Sequence, residues 1–251
     1  MTTPPRRALV TGAAHRIGRA IATDLAAHGY DVVIHANRSD AAARKLAVEL
    51  AETHGVKTAT VRADLTDPAS VETLLPAAIE AVGPLSLLVN NASVFEADTI
   101  ADLASARWRR QMAINAEAPA HLTRAFAAAG CRGLVVNMID QRVWKPTPLY
   151  LSYSASKATL WWLTQTLAQA LAPDIRVVAL GPGPVLKSAA QTEREFADLV
   201  ATLPLHTAPQ LDEFGATIRF LHATPSITGQ MIALDGGQHL AWRTPDAVVP
   251  E

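Results

Sequence analysis

The chain lacks most of what would mark a secreted, membrane-bound or nucleic-acid-binding protein. One cysteine, Cys131, stands in 251 residues, which excludes an internal disulfide and fits a reducing cytoplasm, where the protein is expected. Cys131 reads as a structural thiol: Arg132 beside it would lower its pKa slightly, but no histidine or second cysteine is near in sequence. No run approaches the ~20 apolar residues of a membrane helix. The opening Met1-Thr-Thr-Pro-Pro-Arg-Arg7 passes at once into a strand-like run, not into the apolar core of a signal peptide. Charge of one sign is also missing. A net charge of −1 without any long charge run gives no footprint for nucleic acid or an anionic membrane. The histidines show no metal-ligand spacing, and no internal repeat or Pro-, Gly- or Ser-rich linker divides the chain.

Against these absences, short apolar runs alternate with longer amphipathic stretches. Ala8–Val10, Asp31–Ala36, Val56–Ala63, Leu85–Val89, Leu134–Met138, Arg176–Leu180 and Met231–Leu234 read as strands. Between them Arg16–His28, Asp40–Thr53, a stretch from Thr66 to Val82, Ala104–Ala129, Tyr153–Leu171 and Phe214–Ala223 carry helical patterning. Gly29 is placed to stop the first helix, and Thr66 is expected to cap the third, with Asp67 and Pro68 in its first turn. Seven strands separated by helices imply right-handed crossovers and a parallel sheet covered on both faces. The fold class is therefore α/β, one doubly wound domain over residues 1–251. Gly181–Glu213 is the one long irregular stretch, and residues 183–213 are expected to form a substrate lid.

The first strand runs into Thr11-Gly12-Ala13-Ala14-His15-Arg16-Ile17-Gly18, and then a helix begins. Glycine lets the backbone approach a pyrophosphate, and the helix N-terminus supplies free N–H groups and a favourable dipole. Arg16 stands where a glycine usually sits and adds a cation beside the phosphates. The second strand ends in Asn37-Arg38-Ser39. An NAD site usually carries an acid there for the ribose hydroxyls; Arg38 and Ser39 suit a 2′-phosphate instead, which points to NADPH. Asp40 belongs to the first turn of the next helix.

Tyr153 and Lys157 lie four residues apart, on one helical face. A lysine so placed can lower the phenol's pKa and hydrogen-bond a nicotinamide ribose, and the tyrosine can protonate an atom made electron-rich by an arriving hydride. Such a pair alone is common on helix surfaces, and its context gives it weight. Polar or glycine residues follow the strands, where open α/β sheets bind ligands: Asp64-Leu65, able to bracket an adenine, then Asn90-Asn91-Ala92-Ser93, Gly181-Pro182-Gly183 and Asp235-Gly236-Gly237. Asn115, inside the long helix, is a buried polar group in need of a partner.

On these residues the chain resembles the short-chain dehydrogenases/reductases from about Arg7 to Leu240. The resemblance implies a Rossmann-type sheet of seven strands in the order 3-2-1-4-5-6-7, usually a homotetramer. It also implies Tyr153 as acid, Lys157 as ribose-binding helper and Asn115 as holder of a proton-relay water. One departure is informative. The family generally has serine thirteen residues before the tyrosine, and here Asp140 stands there, within Asn137-Met-Ile-Asp140. Together with Arg16 in Thr-Gly-x-x-x-Arg-x-Gly, this resembles the pteridine reductases and dihydromonapterin reductases. Asn37-Arg38-Ser39, Asn91-Ala92-Ser93-Val-Phe95, Asn115-Ala-Glu-Ala-Pro119 and Asp235-Gly-Gly-Gln-His239-Leu match that subgroup too.

The resemblance assigns the cofactor to Gly12, Arg16, Ile17, Gly18, Asn37, Arg38, Ser39, Asp64, Leu65, Asn91, Ala92, Ser93, Tyr153, Lys157, Pro182 and Gly183. It assigns the substrate to Arg16, Ser93, Phe95, Asp140 and Tyr153, with Phe95 stacking the pterin against the nicotinamide and Arg16 near both pyrophosphate and pterin. After Gly183 the subgroup often carries a serine, and Pro184-Val185-Leu186 stands here, so no contact from that loop is carried over.

The chemistry is coherent: a planar bicyclic ring needs an aromatic face, and reducing a ring C=N needs a proton near nitrogen, which a carboxylate beside the tyrosine can help relay. The leading expectation is an NADPH-dependent reductase of a dihydropterin or dihydrofolate. Alternatives are a carbonyl reductase, such as one for 3-oxoacyl thioesters, and a non-catalytic NADP-sensing regulator. Trp161 and Trp162 read as core or subunit-interface residues, Arg107, Arg109 and Arg110 as a solvated or interfacial helix face. The tail from Trp242 to Glu251 is expected to fray or to dock on a neighbouring subunit.

Overall fold

The computed structural model describes residues 6–187 and 191–242; the tail beyond Trp242 and three residues of the expected lid lie outside that range. Seven strands, β1 (Arg7–Val10), β2 (Asp31–Ala36), β3 (Thr58–Arg62), β4 (Leu87–Asn90), β5 (Gly133–Met138), β6 (Ile175–Pro182) and β7 (Met231–Leu234), form one sheet in the order β3-β2-β1-β4-β5-β6-β7. Every pairing is parallel.

Alternation along the strands feeds two cores. Ala8 and Val10 of β1 point into one, packed by α1 (Arg16–Ala27), α2 (Asp40–His54) and α8 (Leu211–Ala223), whose Ile21, Leu25, Leu46, Phe214 and Ile218 are buried there. Leu9, between them, points into the other, beneath α3 (Pro68–Val82), α5 (Ala118–Ala128) and α6 (Leu151–Leu171), with Leu74, Leu122, Phe126 and Ala168. Among the described residues no helix is long and apolar enough to cross a membrane, and no cluster of three metal-ligating side chains occurs.

Three expectations need correction. Thr66 does not cap α3: its N–H and hydroxyl both donate to Asp64 Oδ1, at 2.9 and 2.7 Å. Asp67 is the cap, accepting from Ala69 and Ser70, with Pro68 at the first position, where no N–H is needed. The stretch Ala104–Ala129 is not one regular helix. It is α4 (Ser105–Met112), a π turn over Ala113–Glu117, and α5. Pro119 has no N–H to give the Asn115 carbonyl four residues back, so the ladder widens, and Ala118 N–H reaches Ala113 O instead. The stretch after β6 is not wholly irregular either: it holds α7 (Glu193–Ala201), whose N-terminus is a reciprocal box between Thr192 and Glu195.

Candidate active site

The C-terminal ends of the strands open onto a cavity of about 1140 Å3. Every residue expected to touch cofactor or substrate lines it; Asn115 does not.

At one end lies the turn after β1. Gly12 has φ +63°, and a Cβ there would come within 2.9 Å of Ala92 Cα. A Cβ on Gly18 would meet Gly12 O at 2.4 Å and Asn91 Nδ2 at 2.5 Å. Both glycines are thus dictated by contact between this turn and the segment after β4. That contact is also hydrogen-bonded: Asn91 Nδ2 donates to Thr11 O at 2.8 Å, and Thr11 Oγ1 accepts from the N–H groups of Asn91 and Ala92, each at 2.9 Å.

His35, which sequence reasoning passed over, holds the turn from the other side. Its Nδ1 accepts from Gly12 N–H at 3.1 Å, so Nε2 carries the proton given to Ala63 O at 3.1 Å. Burial lowers the imidazole's pKa and keeps this neutral tautomer. A histidine next to the last residue of an otherwise apolar run, residues 32–36, ending at the cleft was the available signal.

Arg16 sits at φ +52°, the left-handed backbone that explains why glycine is usual there and that a large side chain occupies at a cost. Its Nη2 donates to Leu186 O at 3.4 Å, which ties the turn to the segment after β6. At the tip of β2, Ser39 precedes α2 without bonding its free N–H groups, and Asp40 is occupied by Arg44 at 2.8 Å. The tip therefore offers Arg38, a serine hydroxyl and a helix N-terminus to an anion. Asp64, held below the usual carboxylate range by the two bonds from Thr66, faces the cavity beside them.

At the other end α6 brings the catalytic candidates together. Tyr153 is buried, and its hydroxyl donates to Asp140 Oδ2 at 2.9 Å. Lys157 Nζ donates to Met138 O at 2.8 Å and lies 5.7 Å from the centre of the Tyr153 ring. The expected lowering of the phenol by Lys157 is not what the site shows. Burial, then the Asp140 carboxylate, push Tyr153 well above its ordinary value, with Arg142 pulling it partly back. Lys157 is itself lowered, to about 8, by burial, against the attraction of Asp140. A phenol that keeps its proton is a donor, not a base.

Two further residues of this end were missed. Arg142 binds both oxygens of Asp140, its backbone N–H to Oδ1 at 2.9 Å and Nη1 to Oδ2 at 3.0 Å. Tyr150, at φ +58° just before α6, lays its ring parallel to Phe95 at 4.4 Å, while Tyr153 meets Phe95 edge-on at 4.7 Å. Phe95 remains 47% exposed, so ring area is left for a planar ligand.

The side chain of Asn115 finds its partners inside the protein. Its Oδ1 accepts from Ser93 Oγ and Val94 N–H, and its Nδ2 donates to Val94 O and Ser156 Oγ, all at 3.0 Å. All four bonds of the side chain are used inside the protein. It clamps the segment that carries Phe95 onto α6.

A parallel doubly wound sheet whose β1 turn, β2 tip and Tyr–Lys helix converge on one cleft defines a nucleotide-dependent oxidoreductase fold. The family model for short chain dehydrogenases matches residues 6–198, and the chain belongs to that family. It is similar to FolM alternative dihydrofolate reductase 1 from Brucella canis, solved complexed with NADP: 48% identity, TM-score 0.91, 97% of this chain and 98% of that one covered. The protein of the same name from Brucella suis, in complex with NADP, is 49% identical, with a TM-score of 0.92 over 96% and 97% of the two chains. The granaticin polyketide synthase putative ketoacyl reductase 2 of Streptomyces violaceoruber is 32% identical over 243 residues, 93% of this chain and 96% of that protein.

Proposed function

We propose that the protein is an NADPH-dependent reductase of dihydropterins or dihydrofolate. The observation that carries this reading is the hydrogen bond from Tyr153 to Asp140 beside the partly exposed ring of Phe95. The two Brucella neighbours, named as alternative dihydrofolate reductases and solved with NADP, support it. A ketone reductase needs only one hydroxyl-type donor on the substrate oxygen. A carboxylate bonded to that donor suits a ring nitrogen instead.

The residues fit the cofactor. Gly12, Ile17 and Gly18 with the start of α1 would receive the pyrophosphate, helped by Arg16; Asn37, Arg38 and Ser39 the 2′-phosphate; Asp64 and Leu65 the adenine. Asn91, Ala92, Ser93, Pro182 and Gly183 would border the nicotinamide half, and Lys157 its ribose. When bound, NADPH supplies a hydride to a ring carbon. Tyr153 then releases its proton to the adjacent ring nitrogen, and Asp140 holds the hydroxyl in line and relays the replacement proton. Phe95 stacks on the ring; Ser93 and Arg16 flank it. Asn115 fixes the Phe95 segment. Residues 183–213 act as a lid within the single domain 1–251, consistent with Leu186, Phe196 and Leu199 lining the cavity.

The finer reading places the protein in the cytoplasm as a homotetramer. Trp162 on α6 and Phe220 on α8, 66% and 54% exposed, are apolar surface a subunit contact would cover. The functional reading is tested by following NADPH oxidation with dihydrobiopterin, dihydromonapterin, dihydrofolate and an acetoacetyl thioester. It requires turnover of at least one of the first three above the thioester.

A further inference from the structure

Arg142 lies between the acid–base pair and the aromatic wall. Its Nη1 binds the same Asp140 oxygen that accepts the Tyr153 hydroxyl. Its guanidinium stands 5.6 Å from the Phe95 ring centre and 5.4 Å from that of Tyr150, and its side chain is 27% exposed. Nothing in the chemistry of hydride transfer asks for this cation, so the charge balance of the cluster is the place to look for its use.

Consider the proton leaving Tyr153. The phenolate left behind would sit 2.9 Å from a carboxylate oxygen, an arrangement that like charges oppose strongly in a buried site. With Lys157 as the sole cation, Asp140 would already use up its charge, and the phenolate would be uncompensated. Two cations change this. Before transfer Asp140, Lys157 and Arg142 together leave one positive charge in surplus; after transfer the phenolate cancels it. An uncharged residue at position 140 would give the same balance from Lys157 alone. We infer that Arg142 is a positioning residue that offsets the charge of Asp140, so that Tyr153 can release its proton beside a carboxylate. Its stacking on Phe95 and Tyr150 and its backbone bond to Asp140 hold the guanidinium there. The direction in which Arg142 moves the phenol, downward against Asp140, agrees.

The inference rests on the reductase reading above, and a double-mutant cycle between residues 140 and 142 separates the two. Arg142→Met keeps the bulk and removes the charge. With a dihydropterin it should lower kcat about 10- to 100-fold, the scale of a weakened proton donor, with KM for NADPH within about threefold of the parent. Arg142→Lys, which returns a cation, should recover most of the loss. In an Asp140→Ser background Arg142→Met should cost threefold or less, because no carboxylate remains to offset. The same factor in both backgrounds, no rescue by lysine, or a loss confined to KM would overturn the proposal. A wild type that reduces only ketones would remove the pterin reading, and the same cycle run on that ketone would still decide the role of Arg142.

Discussion

The two halves of the cleft are built by different means. The half proposed for the cofactor is a matter of backbone: Gly12 and Gly18 pressed against Ala92 and Asn91, one buried neutral histidine, and the open N-termini of α1 and α2. Little there can change without a collision, since even a methyl group on Gly18 lands 2.4 Å from a carbonyl oxygen. The half proposed for the substrate is a matter of side chains: a phenol, a carboxylate, a guanidinium and two stacked rings that meet through hydrogen bonds and faces. Under the proposed function the first half accepts one shape of ligand and can be shared by a whole family. The second can be rewritten one residue at a time, and under the proposed function specificity belongs to it.

This contrast can be broken at either end. The largest effect is expected at the seam, where Tyr153→Phe removes the proton donor. Turnover should fall 10²- to 10⁴-fold while NADPH affinity, by fluorescence titration, stays within a few-fold; a variant keeping a tenth of the rate would show that another group supplies the proton. In the cofactor half, Arg38→Ala should weaken NADPH by about 1.5–3 kcal/mol, the scale of a charge-assisted bond, and NADH far less. Equal losses would mean that Arg38 does not read the 2′-phosphate.

Lys157, at the other end of the cleft but proposed to hold the nicotinamide ribose, gives a pH test of cofactor binding. Its ammonium, lowered to about 8 by burial, is present below that pH and lost above it. Because kcat/KM reports the free enzyme, kcat/KM for NADPH should decline as pH rises past about 8, up to tenfold per unit. A flat profile to pH 10 would contradict the role given to the charged form. The smallest effect belongs to the substrate half: Phe95→Ala should cost about 0.5–1.5 kcal/mol of stacking beyond buried area, seen in pterin KM with kcat nearly kept.

The same division runs through what the sequence revealed. Patterning located every strand, and β2 and β7 to the residue, because half-buried and buried strands leave period-two and continuous apolar runs whatever they bind. The turn after β1, the tip of β2 and the Tyr–Lys pair were legible because backbone geometry demands glycine, and chemistry demands particular groups, at fixed spacing.

What escaped depends on contacts distant in sequence, or on competition between neighbours. Asp67 displaced Thr66 as a cap because Asp64 had claimed the threonine. The π turn follows from Pro119 acting four residues back on Asn115. His35 passed as a strand residue because its partners, Gly12 and Ala63, come from two other strand ends. Arg142 and Tyr150 carry no motif, and only the fold brings them to Asp140 and Phe95. The capping box Thr192-Glu-Arg-Glu195 was readable in the sequence, and it marked a helix inside a stretch expected to be irregular.

The most direct test of the central claim is the rate of NADPH oxidation by the wild type and by Asp140→Ser, each with a dihydropterin and with an acetoacetyl thioester. If the carboxylate serves a ring nitrogen, the wild type reduces the dihydropterin and the variant loses about 10²-fold or more of that activity. Its activity on the thioester holds or rises, because serine restores the hydroxyl that polarises a ketone. Full dihydropterin turnover in Asp140→Ser, or none in the wild type, would contradict the account.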